Sequence, residues 1–131
     1  MEEATNYPCP ACGYLVFSRP AGSYDICRIC NWEDDPVQLQ HPDLAGGANN
    51  VSLIEAQRNF IRLGAIENGR RSGVRAPKPT DVKDLKWRPW DFALDSPPTG
   101  TIQTGKEYFY ATAPADDALS KDENALYYWL R

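Results

Sequence analysis

Two short stretches, CPACGY (residues 9–14) and CRICNW (residues 27–32), decide how this chain of 131 residues is read. Each is a Cys-x-x-Cys followed at once by a residue that tolerates a left-handed backbone. The spacing, Cys9-x₂-Cys12-x₁₄-Cys27-x₂-Cys30, sits at the short edge of the paired-cysteine metal pattern and needs only a hairpin between the pairs. Within each pair, a tight turn brings two sulfurs to one ion and lets backbone N–H groups point at them. That turn needs a left-handed position just after the second cysteine. Gly13 suits it in the first pair, and Asn31 is among the few other residues that tolerate it in the second. Pro10 fixes the first turn further. Two unrelated redox motifs would have no reason to share this backbone requirement. Four thiolates around one ion form a closed tetrahedral site with no open position for water or substrate, so the site reads as structural. Zinc is the first expectation for the ion and iron the second.

Compartment bears on the same cysteines. No stretch of 18 apolar residues is present, so no membrane span is expected. The start, MEEATNYPCP, has neither the basic nor the apolar region of a signal peptide, and the expected location is cytoplasmic. Cytosolic thiols are kept reduced, which favours ligands over stable disulfides. A thioredoxin-like pair would sit beside a βαβ pattern, and none is visible. Structural zinc contributes apparent free energies of about 10–16 kcal/mol in small finger peptides. A loop-rich half-domain with one clear helix could not easily obtain that from its own core. Eleven prolines and nine glycines point the same way, towards few long regular elements.

Charge divides the chain into three. Residues 1–65 carry eight acids and four bases, residues 66–90 three acids and seven bases, and residues 91–131 seven acids and three bases. The middle stretch, rich in proline and glycine, reads as a basic connector crossing the surface between two acidic parts. In the N-terminal half, Tyr14–Phe17 reads as a short strand, and a turn around Arg19–Gly22 lets Tyr24–Ile26 return towards the second cysteine pair. The clearest helix starts after Ser52, whose hydroxyl can cap the first turn, with Glu55 at capping-box distance. Leu53, Ala56, Phe60 and Leu63 would form its buried face, and Gly64 supplies the stop. Further on, Tyr108–Tyr110 reads as a strand. Ser120 and Glu123 repeat the capping pattern before a short helix through Leu130, with Leu126, Tyr127, Tyr128 and Trp129 packing inward.

The run CRICNWEDDPVQLQHPDLAGGANNVSLIEAQRNF (residues 27–60), with YPCPACGY (residues 7–14) before it, resembles the bacterial cysteine-rich CPCC family over about residues 6–65. Members show a Tyr-Pro-Cys-Pro-x-Cys-Gly start, a Cys-x-x-Cys followed by Trp-Glu-Asp-Asp, then Pro-Asp, Gly-Gly-Ala-Asn and Ser-Leu before a helix. Ala11 stands where the family usually has a third adjacent cysteine, which removes any role needing an extra thiol and leaves four ligands intact. The resemblance implies zinc binding through Cys9, Cys12, Cys27 and Cys30. It also implies a link to toxin neutralisation, because members often occur beside bacterial toxins and some are taken to be immunity proteins.

Other polar groups carry weaker readings. Glu33, Asp34, Asp35 and Asp43 are candidates for contact with a basic partner, and the first three also for a second cation, against the plain alternative of a solvated acidic turn with Trp32 covering the metal site. Alanine at residues 33–35 is expected to leave stability nearly unchanged but to weaken binding of a basic partner. Gly46–Asn50 reads as the turn into the Ser52 helix, since it lacks the Lys and Thr of a phosphate loop. The single histidine, His41, reads as a surface residue. Arg70, Arg71, Arg75, Lys78, Lys83, Lys86 and Arg88, with Trp87 and Trp90, could serve nucleic acid, but the flanking acidity and net charge of −4 oppose this.

The expected fold is thus α+β: a small Cys₄ zinc ribbon with rubredoxin-like knuckles, then a helix and an irregular α/β C-terminal extension. The expected division is a zinc-binding domain over residues 1–65 and, over residues 66–131, a connector and acidic extension packed on it. The expected function is non-catalytic binding of another protein, in its sharpest form neutralisation of a basic toxin domain. A nucleic-acid-binding zinc ribbon and a hydrolase are the rivals.

Overall fold

Two backbone turns of one design organise the N-terminal half. The Cys9 carbonyl accepts from the Gly13 N–H at 2.7 Å and the Cys9 N–H donates to the Tyr14 carbonyl at 2.9 Å. Cys27 repeats the pattern, accepting from Asn31 and donating to Trp32, both at 2.8 Å. Gly13 has φ 83° and Asn31 φ 74°, the left-handed positions that the spacing requires. The structure is a computed structural model, and it describes residues 5–69, 74–95 and 127–130.

Each turn pairs its own flanks. Strand β1 (Tyr7–Pro8) runs antiparallel to β2 (Leu15–Phe17), with Tyr7 opposite Phe17, Pro8 opposite Leu15 and an irregularity between them. The segment Tyr24–Ile26 leads into the second cysteine pair. Ile26 bridges Glu33 across the second turn. Closing a short loop costs less chain entropy than closing a long one, so flanks already brought together by a turn pair first.

The connector lies over both turns. Leu15 donates to the Val82 carbonyl at 2.8 Å and Asp84 donates to the Gly13 carbonyl at 2.9 Å, which lays a third extended segment beside β2. Arg75 donates to the Arg28 carbonyl at 3.2 Å in the second turn. No residue from 74 to 95 is buried, in keeping with a surface crossing.

Two helices follow the second turn. Helix α1 (Pro36–Gln40), which the sequence pattern did not single out, is capped by Asp35. It ends at His41, which is 2% exposed and so corrects the surface reading. The cause is the turn-back of the chain over that residue: Leu44 donates to the His41 carbonyl at 2.9 Å, and Ile54 reaches the Pro42 carbonyl at 3.0 Å. Helix α2 (Leu53–Leu63) begins and ends as its sequence signals require. The Ser52 hydroxyl accepts from the Glu55 N–H at 3.1 Å, and Gly64, at φ 77°, donates to Phe60. Of its expected inner face, Leu53 and Ala56 are fully buried, whereas Phe60 and Leu63 are half-buried. The polar Gln57 is buried alongside them.

The core gathers around the four cysteines: Val16, Phe17, Ile29, Trp32, Leu39, Leu53, Ala56 and Ile66, closed by Tyr127, Tyr128 and Trp129. Residues Tyr128–Leu130 form a single 3₁₀ turn. The strand expected at Tyr108–Tyr110, the cap at Ser120 and Leu126 lie outside the described residues. Among the described residues no helix is long and apolar enough to cross a membrane.

Candidate metal centre

The two turns point their sulfurs at one another. All four cysteines are 0% exposed, and their Sγ atoms all lie within 4.8 Å of each other. Sulfurs of the two turns meet, Cys9 to Cys30 at 3.5 Å and Cys12 to Cys27 at 3.7 Å. A tetrahedral ion with ligand bonds of about 2.3 Å, the zinc–sulfur value, sets sulfurs about 3.8 Å apart, whereas a disulfide needs about 2.05 Å. The four cysteines are therefore positioned to bind a single metal ion. Cys9, Cys12, Cys27 and Cys30 are the four residues expected from their spacing.

Electrostatics make a cation a natural occupant. Burial pushes the Cys9 and Cys30 thiols well above their ordinary value. Burial opposes ionisation of Cys27 too, but hydrogen bonds from the neighbouring thiols and from the Cys30 N–H outweigh it and hold that group well below its ordinary value. The Ile29 and Cys30 amides stand 3.3 and 3.4 Å from the Cys27 sulfur. One thiolate is thus stabilised by the fold itself, and fuller ionisation needs compensating positive charge in the pocket.

Distant residues lock the turns in place. The Pro10 carbonyl accepts from Gln57 Nε2 at 3.0 Å and from Trp87 Nε1 at 2.9 Å. Gln57 also donates to the Tyr128 hydroxyl at 2.9 Å and accepts from the Trp90 N–H at 3.0 Å. One buried side chain therefore joins the first turn, α2, the connector and the C-terminal turn. The Trp87 ring lies so close to Gly13 that a Cβ there would stand 2.5 Å from Cε3. On the second turn, the Cys30 carbonyl accepts from the Ile66 N–H at 3.0 Å. Gln57 was legible in principle: it follows Leu53 by four positions and Ala56 by one, on the inner face of α2.

The acidic candidates separate. Asp34 is 1% exposed and Asp35 5%, and this burial takes both out of the surface proposed for a partner. Their oxygens are engaged by loop donors. Asp34 Oδ2 accepts from the Gly22 and Ser23 N–H groups at 3.2 and 3.1 Å and from the Ser23 hydroxyl at 2.8 Å. Burial still pushes its carboxyl up to about 6. Asp35 Oδ1 caps α1 through Val37 and Gln38, and Oδ2 accepts from Ala48 at 2.9 Å. Glu33 is half-buried and Asp43 exposed.

The Gly-Gly-Ala-Asn stretch belongs to the same construction. Asn49 accepts from the Glu33 N–H at 2.8 Å and donates to the Glu33 carbonyl at 2.9 Å, as a paired strand would. Gln38 Oε1 accepts from the Asn49 N–H and side-chain amide, and Gln38 Nε2 reaches the Leu44 and Val51 carbonyls at 3.0 Å. A Cβ on Gly47 would stand 2.7 Å from Asp35 Oδ2, so this loop approaches as only glycine allows. These motif residues fasten the α1–α2 loop to the second turn, in line with the reading of Gly46–Asn50 as a shaped turn.

No curated protein matches the chain. The model of the family described as cysteine-rich CPCC matches residues 7–81, more than half of the sequence and past the 65 that the motifs alone reach. Both cysteine turns, the acidic stretch, both helices and the first part of the connector fall inside that match, and the chain belongs to the cysteine-rich CPCC family.

Proposed function

We propose that Cys9, Cys12, Cys27 and Cys30 hold one Zn²⁺ as a structural ion in a ribbon of rubredoxin-like knuckles, and that the protein acts without catalysis by binding another protein. The observation that carries this reading is the closure of the site. All four sulfurs are fully buried, and no further His, Asp or Glu joins their cluster among the described residues. Four thiolates complete a tetrahedral shell, so zinc here would fix the two turns and offer no position to a substrate.

Partner binding is supported over nucleic acid by the state of the connector's cations. Arg75 forms a double ion pair with Asp81, and Arg88 does so with Asp95. Lys83 stands over the Tyr14 and Trp87 rings at 5.4 and 5.3 Å. The two arginines, neutralised by their aspartates, hold phosphate weakly. Several large apolar side chains face solvent instead, among them Ile61, Leu85, Phe92 and Leu94, each at least 70% exposed. Neutralisation of a basic toxin domain is the narrower form of the proposal. Its support is the family resemblance and the net charge of −4, which would speed encounter with a basic partner.

Native mass spectrometry of untagged protein from its own cells tests the reading. One added zinc mass per chain with a stoichiometric protein partner is the expected result. A metal other than zinc would overturn the ion assignment. A co-purifying oligonucleotide in place of a protein would overturn the function.

A further inference from the structure

We propose that the open groove between β2 and the Asp25–Arg28 segment is the partner-docking site, and that it takes an extended peptide bearing a carboxylate. The inference rests on the partner-binding reading above and adds where the partner sits and what chemistry it brings.

The groove is lined by Thr5, Val16, Phe17, Ser18, Ile26 and Arg28, with Asp25 at its side, and it encloses about 500 Å³. That volume falls within the roughly 300–1,000 Å³ usual for ligand sites. Its wall at Ile26 is an unpaired strand edge. The bridge between Ile26 and Glu33 is closed by the neighbouring residues, Cys27 donating to Trp32 at 2.8 Å and Asp34 to Asp25 at 2.9 Å. In an antiparallel ladder, residues between such bonds turn their own N–H and C=O outward. On the Glu33 side the Asn49 amide caps both outward groups. On the Ile26 side neither group has a protein partner among the described residues, and the side chain is 58% exposed. The fold protects one edge of this small ladder and leaves the other open. Open edges accept strands.

Charge selects the occupant. The Asp25 carboxylate is held by a fork from Arg19, with Nε at 3.1 Å and a shorter contact from Nη2, and that pair is neutral as a unit. Arg28 is exposed and makes no ion pair among the described residues. Among the described residues the groove is therefore locally cationic, although the chain is acidic. A guanidinium fork matches a carboxylate in a bidentate way. Strand residues advance about 3.3 Å each, so about three peptide residues would span the wall, hydrogen-bonding Ile26 and directing an Asp, a Glu or a C-terminal carboxylate to Arg28.

The test uses the metal-loaded full chain and a random heptapeptide library displayed on phage. Selected sequences should be rich in Asp and Glu. Synthetic copies should shift the Ile26 amide and the Arg28 Nε–H signals in ¹H–¹⁵N NMR. Arg28→Glu should weaken them roughly tenfold or more, and Arg28→Lys less, since charge remains but the fork is lost. Metal content of both variants should match the parent, because the Arg28 side chain is exposed and makes no ion pair among the described residues. Failure to select acidic peptides, binding without movement of Ile26, or equal affinity for Arg28→Glu would each overturn the groove. A co-purifying protein held equally by parent and Arg28→Glu would also overturn the groove while leaving the partner-binding reading standing.

Discussion

The two cysteine turns are the same machine built from different parts. Both close with the same pair of main-chain hydrogen bonds, and both place a left-handed residue directly after the second cysteine. The first uses Gly13 and is clamped by residues from far along the chain, Gln57, Val82, Asp84 and Trp87. The second uses Asn31, turns its own Ile29 and Cys30 amides to the Cys27 sulfur, and takes main-chain bonds from Ile66 and Arg75 in place of side-chain clamps. Backbone conformation alone admits either glycine or asparagine at that position. What separates them is the neighbour: Trp87 packs where a side chain on residue 13 would go.

The largest effect tests whether the turns share one ion. Cys9→Ser in the first turn and Cys30→Ser in the second should each abolish metal retention and unfold the N-terminal half. The stabilisation at stake is about 10–16 kcal/mol if the site resembles zinc-finger peptides, which exceeds the usual stability of a whole domain. Metal analysis together with circular dichroism would report this. Retention of metal by either variant would break the single-site picture and make the turns independent.

The next effect separates the turns. Gly13→Ala meets both left-handed strain and the Trp87 ring, and should cost about 3 kcal/mol or more in denaturant unfolding of the loaded protein. Asn31→Gly should change stability by no more than about 0.5 kcal/mol, because it relieves strain while adding chain entropy in the unfolded state. Equal costs at the two positions would show that the ring does not press on Gly13.

Local chemistry was readable from residues alone; remote chemistry was not. Cysteine spacing with Gly13 and Asn31 announces the turns, and Ser52, Glu55 and Gly64 announce α2, because each signal lies within a few residues of the bond it makes. The Glu33–Asp35 stretch misled for the opposite reason. Three consecutive acids look solvated, and the donors that bury Asp34 and Asp35 come from Gly22, Ser23 and Ala48, loops with no mark of their purpose. The clamp on the first turn was equally hidden, since Pro10 meets Gln57 and Trp87 across 47 and 77 positions. Burial of Tyr127, Tyr128 and Trp129 was legible simply because aromatic runs seek cores.

The second turn's polar mooring gives an effect of middle size with a pH signature. Burial pushes the Asp34 carboxyl up to about 6 in the fold, against about 3.9 for an ordinary aspartate. Its raised value means that the folded state holds the proton more tightly. The stabilisation is present below pH 4 and is lost as pH rises towards 6, in a magnitude on the order of 2 kcal/mol. Asp25, the nearby carboxylate, pushes the same way, whereas the Gly22 and Ser23 donors oppose it. Measured against Asp34→Asn, the parent should therefore lose relative stability between pH 4 and pH 6. A carboxyl NMR midpoint near 4 would remove the effect. Asp35→Ala is expected to cost about 2 kcal/mol, because it strips the cap from α1 and leaves the Ala48 N–H without its acceptor. This replaces the sequence-based expectation that alanine at residues 33–35 leaves stability nearly unchanged.

The smallest effect probes how the first turn is held. Trp87→Phe removes one donor from the Pro10 carbonyl but leaves Gln57 on it, so about 1 kcal/mol should be lost. Gln57→Leu removes the other donor, takes the Gln57 donor from the Tyr128 hydroxyl (which keeps its own bond to the Arg88 carbonyl) and leaves the Trp90 N–H without its acceptor, so it should cost more by itself. Each single variant keeps the carbonyl satisfied; the double variant does not. A buried acceptor losing its last donor incurs its full desolvation cost, so the double-mutant cycle should exceed the sum of the singles by about 1 kcal/mol. Simple additivity would mean that water replaces the donors at Pro10. The first turn would then depend on the Trp87 ring over Gly13, and the two turns would differ in packing alone.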